Sequence, residues 1–262
     1  MKAKKKLFLI DAYALIFRGY YAFIKNPRIN SKGMDTSAIM GFMNSLLDLI
    51  KREKPENLAV AFDKGGSSDR LEIFEDYKAN RSETPDAIKI AVPYIHEILK
   101  AMRIPILIKN GYEADDIIGT VAKKAEKNNY EVFMVTPDKD FAQLVSENIF
   151  MYKPARMGNG IEIWGVKEVQ KKFEVSDPLQ VIDFLGMMGD SADNIPGLPG
   201  VGEKTAKKFL AEYGSMENLL ANTDKITGKL KIIKSSIIYY FIKNVIYYSY
   251  LRYHFEIQDY EG

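Results

Sequence analysis

The 262 residues include 37 Lys+Arg and 35 Asp+Glu, a net charge of +2, with 47% hydrophobic and 27% charged residues. That mixture supplies a sizeable core and excludes a disordered chain, leaving one large domain or one domain with a small helical annex. With no Cys, a disulfide scaffold, a thiolate zinc site and a cysteine nucleophile are excluded, and with only His96 and His254 a His-rich metal site is not expected.

The near-neutral balance announces no nucleic-acid partner, so charge must act through its placement. The basic N-terminus is followed by an apolar run at 7–10 that stops at Asp11, short of the ~7–15 residues of a signal-peptide core. The longest later apolar stretch, 237–251, is broken by Lys243, Asn244 and Ser249 and is too short for the ~20 residues of a membrane span. A cytoplasmic protein is expected.

In chain order, β-branched or aromatic runs at 7–10, 58–62, 104–108, 132–136 and 148–152 predict strands. Between them, Ile39, Phe42, Met43, Leu46, Leu47 and Ile50 recur at helical spacing, as do Ile117, Val121 and Ala125. The alternation predicts an α/β fold, a mostly parallel sheet covered by helices. From Val166 onward only helical periodicity remains. We therefore expect an α/β domain over 1–165 and a helical domain over 166–262, packed closely because no Gly/Ser linker separates them.

Carboxylates stand where the strands end. Asp11 follows the first run and Asp63 the second; Glu113, Asp115 and Asp116 follow the third after a Gly-containing turn; Asp138 and Asp140 follow the fourth. An acid after a strand is most often a helix cap or turn residue. Four strands delivering acids to one edge of a parallel sheet, where ligands bind, is a different matter. Such a cluster repels itself unless its pKa values rise or cations join it. With only oxygen donors, hard cations such as Mg²⁺ or Mn²⁺ are expected. Asp190 and Asp193, three apart, share one face of a helical turn and can reach one ion.

Next comes Gly197-Leu-Pro-Gly-Val-Gly-Glu-Lys-Thr, in which Gly200 and Gly202 allow close backbone approach and a helix begins near Glu203. Lys204, Lys207 and Lys208 fall on the outer face of that helix, and Ala206, Phe209 and Leu210 on the inner. The string reads as a helix-hairpin-helix gripping duplex backbone without regard to sequence. The polar stretch over 64–92, with Arg70, Lys78 and Arg81, is long for a compact domain, which points to function. Arg18 and Tyr20 lie with Phe17, Tyr21 and Phe23 close to Asp11, an arrangement suited to clamping single strands, although such a stripe is more often a helix core.

IDAYALIFRGYYAF, AFDKGG with EDYKANR, GYEADD, TPDKD and GDSADNIPGLPGVGEKTA occur in that order. Over about residues 6–225 the chain closely resembles the 5′-nuclease domain of bacterial DNA polymerase I, of the flap endonuclease family. The resemblance implies a PIN-like 5′-nuclease core, cleavage of branched DNA at 5′ flaps and RNA primers, and a two-metal mechanism. It assigns one metal to Asp11, Asp63, Glu113 and Asp115 with Asp116 close by, and a second to Asp138, Asp140, Asp190 and Asp193. Lys78 and Arg81 match the basic pair of a helical arch (about 64–92) that reaches the scissile phosphate. Gly200, Val201 and Gly202, within Gly197–Thr205, match the duplex-gripping hairpin and its K⁺; Lys204, Thr205 and Arg70 join the expected DNA contacts. A monomer near the nucleoid is implied, with a DNA polymerase as a candidate partner. The alternatives are a non-catalytic branched-DNA-binding module and a PIN-like ribonuclease. The second should lack the hairpin. An acidic phosphatase, with Asp138-Lys-Asp as its only nucleophile motif, also leaves the hairpin unexplained.

From about Lys231 the text departs from the family. Seven of the 16 tyrosines fall between Tyr239 and Tyr260, and no acid occurs over 225–255. This vocabulary suits AT-rich DNA read out of frame, so a frameshift near Lys231 in a longer polymerase-type protein is expected. A divergent native helix or hairpin is the alternative.

Overall fold

The computed structural model describes residues 4–65, 68–154 and 160–225; the departure expected from about Lys231 lies outside them. Five strands run parallel: β1 (Lys5–Asp11), β2 (Asn57–Ala61), β3 (Ile106–Leu107), β4 (Tyr130–Val135) and β5 (Ile149–Lys153). A sixth, β6 (Glu162–Trp164), pairs antiparallel with β5, giving the order β3-β2-β1-β4-β5-β6. The sequence carries no signal for β6, a three-residue edge strand with two exposed positions. Because β1 lies between β2 and β4, the chain leaves it toward one edge and later returns on its other side. At such a switch point a crevice opens beyond the carboxyl ends of the strands.

Alternate residues of each strand face opposite sides and sort into two cores. Phe8, Ile10, Val60, Phe62, Phe133 and Val135 pack under α1 (Ala12–Phe23), α2 (Ser37–Glu53) and, beyond the short α3 (Ser68–Ile73), α4 (Asp86–Ala101). On the other side Leu9, Ala61, Val132 and Met134 pack under α5 (Ala114–Lys127). That second core runs on into α6 (Val166–Phe173), α7 (Gln180–Met188), α8 (Glu203–Tyr213) and α9 (Met216–Ala221), through Val169, Leu185, Leu210 and Leu219. The division expected near 166 is therefore one of secondary structure. The helical part shares its core with the sheet. No helix among the described residues is long and apolar enough to cross a membrane.

The stripe expected on α2 is turned slightly. Leu47 is exposed, and the buried face is Ala38, Gly41, Phe42, Leu46 and Leu49. The cause is backbone contact between α1 and α2: a Cβ on Gly41 would lie 2.2 Å from the Cα of Gly19. Gly41→Ala is expected to cost about 1–3 kcal/mol through overpacking, read as a fall of several degrees in the thermal unfolding midpoint.

Candidate active site: an acidic cleft at the carboxyl edge of the sheet

Each strand end places its acid by an ordinary local device. Asp11 closes β1 and caps α1, accepting the Ala14 N–H at 3.1 Å and the Thr136 hydroxyl at 3.1 Å. Asp63, just past β2, accepts the Ala114 N–H at 2.6 Å, so the end of one strand caps the helix that follows another. Glu113 stands at the start of α5 with Asp115 in its first turn. Asp138 caps the 3₁₀ segment Lys139–Leu144 and accepts the Asp140 N–H at 3.0 Å. The caps are thus real, and the switch point gathers them. Asp11, Asp63, Glu113, Asp115, Asp138 and Asp193 line one cleft of about 560 Å³, together with Tyr13, Phe17, Lys78 and Arg81.

The acids fall into two electrostatic groups. In the first, basic side chains act as built-in counter-ions. Lys78 Nζ lies 2.7 Å from Glu113, Arg81 pairs with Asp193, and Lys139 Nζ lies 3.1 Å from Asp190. Burial alone would raise Glu113, but Lys78 and Arg70 outweigh it and hold the carboxyl below its ordinary value. In the second group no such ion pair forms among the described residues, and enclosure pushes every pKa up. Asp11 rises to about 7, and Asp63, Asp115, Asp138 and Asp140 rise as well. Neighbouring carboxylates add to the effect: Asp63 and Asp138 on Asp11, Glu113 and Asp138 on Asp115, Asp193 and Asp190 on Asp138.

Among the described residues no group of three or more acids is arranged, as the side chains stand, to hold an ion. The donor set nevertheless fits a hard cation. It is all oxygen, Asp11, Glu113, Asp190 and Asp193 are buried, and Asp140 Oδ1 is buried with no hydrogen-bond partner. A cation would relieve the repulsion that keeps the second group's pKa values high.

Lys78 and Arg81 reach the cleft because their segment is tied to a small hairpin, β7 (Gly189–Asp190) and β8 (Ile195–Pro196). The Lys78 N–H donates to the Asp193 carbonyl at 3.0 Å, Asn80 to the Ser191 carbonyl at 2.7 Å, and Asn194 to the Asp76 carbonyl at 2.8 Å. Lys78 itself has φ 58°, a left-handed backbone uncommon for a non-glycine residue. Sequence reasoning missed Tyr77, a buried residue whose hydroxyl stands between Glu113 at 3.1 Å and Asp193 at 3.3 Å, with one proton to donate to either. Its position next to Lys78 was the one available signal. Lys139, between Asp138 and Asp140, was likewise missed.

Several expected site residues lie elsewhere. Asp116 is turned into the core; Arg70 grips both its oxygens at 3.1 and 2.6 Å, and the Glu113 N–H adds a third bond at 3.0 Å. Arg70 is correspondingly 1% exposed and also pairs with Glu113 at 3.1 Å, so the expected DNA contact is corrected to an internal anchor. Arg70→Met is expected to cost about 3 kcal/mol in urea unfolding. That is the low end for a broken buried pair, since Glu113 keeps Lys78 and Tyr77. A loss of DNA affinity at unchanged stability would restore the contact role. Arg18 borders a separate crevice with Asp48 and Tyr152. Tyr20, half-buried, stands edge-on to Tyr21 at 5.3 Å.

Around the expected hairpin the roles divide. Val201 is a core side chain. Gly197 is a packing glycine, since a Cβ there would lie 2.2 Å from the Met188 carbonyl. Gly200 is exposed with φ 77°, and Gly202 is exposed with open space above it at the start of α8. Lys204 and Lys208 are exposed, Thr205 is half-buried, and Lys207 is held by Glu174 and Glu203 at 2.9 Å each.

Residues 6–174 match the 5′-3′ exonuclease N-terminal resolvase-like domain, and residues 176–240 match the 5′-3′ exonuclease C-terminal SAM fold. The 5′-3′ exonuclease of Aquifex aeolicus is 42% identical over 221 residues, 84% of this chain and 74% of that protein. DNA polymerase I of Bacillus caldotenax is 41% identical over 230 residues, 87% of this chain but 26% of that protein. The chain therefore spans about a quarter of the length of its polymerase relatives. Among solved structures, T5 5′-exonuclease with bound zinc superposes with a TM-score of 0.76 at 23% identity, covering 95% of this chain and 91% of that one. The catalytic core of Rad2 with DNA superposes at 0.60 with 19% identity, covering 95% and 79%. These two likenesses are of fold. The matches along the sequence carry more, and by them the chain belongs to the 5′-3′ exonuclease family.

Proposed function

We infer that this chain is a structure-specific 5′ nuclease, a 5′-3′ exonuclease and 5′-flap endonuclease that hydrolyses DNA phosphodiesters in primer removal and repair. One observation carries the reading: desolvated acids without ion-pair partners face two cations, Lys78 and Arg81, across a cleft at the switch point of a parallel sheet. Asp11, Asp63, Glu113 and Asp115 would hold one Mg²⁺ or Mn²⁺, and Asp138, Asp140, Asp190 and Asp193 a second. When bound, the metal pair supplies water activation and stabilisation of the leaving oxygen. Lys78 and Arg81 direct positive charge at the phosphoryl oxygens, where negative charge develops. Tyr77 holds Glu113 and Asp193 in place for them.

The exposed Gly200–Gly202 turn, the free N–H groups opening α8, and Lys204 and Lys208 bind duplex backbone, which selects DNA by shape. A K⁺ at that turn belongs to the same proposal. The protein acts as a monomer in the cytoplasm, with the nucleoid, beside a DNA polymerase. The test is a labelled 5′-flap duplex incubated with Mg²⁺ or with EDTA, the cut then being mapped. Release of the 5′ arm near the junction in Mg²⁺ alone is expected. No cut in Mg²⁺, or an equal cut in EDTA, overturns the reading.

A further inference from the structure

The four acids assigned to the second cation are not equally open to one. Asp138 and Asp193 line the cleft together with Lys78 and Arg81. Asp190 is buried in the hairpin β7–β8, and both of its oxygens are engaged. Its Oδ1 accepts the Ala192 N–H at 2.8 Å, and its Oδ2 lies 3.1 Å from the ammonium of Lys139. Asp140 is the opposite case: its Oδ1 is buried with no hydrogen-bond partner. A divalent ion can therefore take Asp140 as it stands. To take the Asp190 Oδ2 it must meet a positive charge already there, and two cations at one oxygen repel.

Lys139 differs from the other counter-ions of the site. Lys78 and Arg81 come from the arch and line the cleft, where a phosphate would enter. Lys139 opens the segment Lys139–Leu144, in sequence between two of the acids themselves, and is not among the residues lining the cleft. Its side chain is 45% exposed, against 10% for that of Asp190. A long side chain half in water leaves its partner easily, because exposed ion pairs are weakly held and a lysine stem is flexible. Its charge thus has two opposite effects. It offsets the repulsion among the acids in the free protein, and it competes with any ion that arrives.

We propose that Lys139 is a place-holding cation for the second metal position: it neutralises Asp190 in the metal-free protein, is displaced when a divalent ion binds, and so sets how much Mg²⁺ the site requires. This rests on the two-metal reading above and goes beyond it, since that reading gives Lys139 no part. The sign of the effect is fixed by charge. Without Lys139 the metal-free protein should be less stable, yet should bind the ion more tightly. A lysine with a merely structural role would, when removed, lower both together.

The experiment follows Mn²⁺ binding to the full chain without DNA, by calorimetry and by loss of the free-ion EPR signal. Wild type is expected to bind in a tighter and a weaker step. Lys139→Met should tighten the weaker step by about fivefold to thirtyfold, the effect of removing one unit charge near a divalent ion at screening between that of water and that of protein. The tighter step should not move. In EDTA the same variant should unfold at lower urea than wild type, and saturating Mn²⁺ should close the difference. Lys139→Arg, which keeps the charge, should match wild type in both measurements. Weaker Mn²⁺ binding by Lys139→Met overturns the proposal. So does a loss of affinity for flapped duplex in EDTA with ion binding unchanged, which would make Lys139 a phosphate contact. If wild type cuts flapped duplex in Mg²⁺ but the Mn²⁺ isotherms of wild type and Lys139→Met coincide, the place-holding role alone fails. If wild type neither binds Mn²⁺ nor cuts, the nuclease reading has failed with it.

Discussion

Lys78→Ala is expected to slow cleavage of a 5′-flapped duplex by about 10²- to 10³-fold, the usual loss for one preorganised charge at a reacting centre. The dissociation constant for the same DNA should change by less than tenfold. The asymmetry follows from where Lys78 sits. Its side chain is only 23% exposed, and its ammonium lies 2.7 Å from Glu113 and 4.7 Å from the centre of the Tyr77 ring. Its left-handed backbone is held by the Asp193 carbonyl. A lysine so placed contributes little to first encounter, which exposed cations such as Lys204 and Lys208 supply. Its charge counts most when the phosphoryl oxygens gain negative charge, so the loss belongs in kcat. Single-turnover cleavage and equilibrium binding on one substrate separate the two. Equal losses of rate and affinity would make Lys78 a binding residue only.

The acids of this site were legible because a strand's carboxyl end is visible in sequence: an apolar run, then Asp. Asp11, Asp63 and Asp138 needed nothing more, and the sheet order then gathered them. Glu113-Ala-Asp-Asp shows where legibility stops. Successive helical residues point about 100° apart, so Asp115 faces the cleft while Asp116 is carried round to Arg70 in the core. The letters do not show which phase wins. Arg70 failed for a related reason. Amid a charged stretch it read as a DNA contact, because its partner stands 46 residues away across the fold. The tie between 76–81 and 191–194 is hard to see for the same cause, since three of its bonds end on backbone carbonyls that no side-chain pattern announces. β6, β7 and β8 are too short for any periodicity to develop.

Asp11→Asn is expected to give a protein that is more stable and inactive. Asp11 titrates at 3.8 in the open chain and at about 7 in the fold, chiefly through burial and then through Asp63 and Asp138. Between those values folding takes up a proton. The carboxyl therefore costs nothing below pH 4, costs more as the pH climbs from 4 to 7, and reaches a plateau above 7 of roughly 4 kcal/mol. Asn keeps the oxygen that accepts the Ala14 N–H and carries no charge. The stability gap in favour of the variant should thus be absent at pH 3.5, open through pH 5 and 6, and be full at pH 8. Urea unfolding in EDTA at each pH measures it. A gap of constant size at all pH values would mean that Asp11 is not held against its neighbours' charge. Adding Mg²⁺ at pH 8 should narrow the gap by stabilising wild type alone, since binding to the native state adds to its stability and the variant lacks one of the required charges. A residue that destabilises its own fold in the free protein and is relieved by a cation belongs where the fold gives up stability for chemistry.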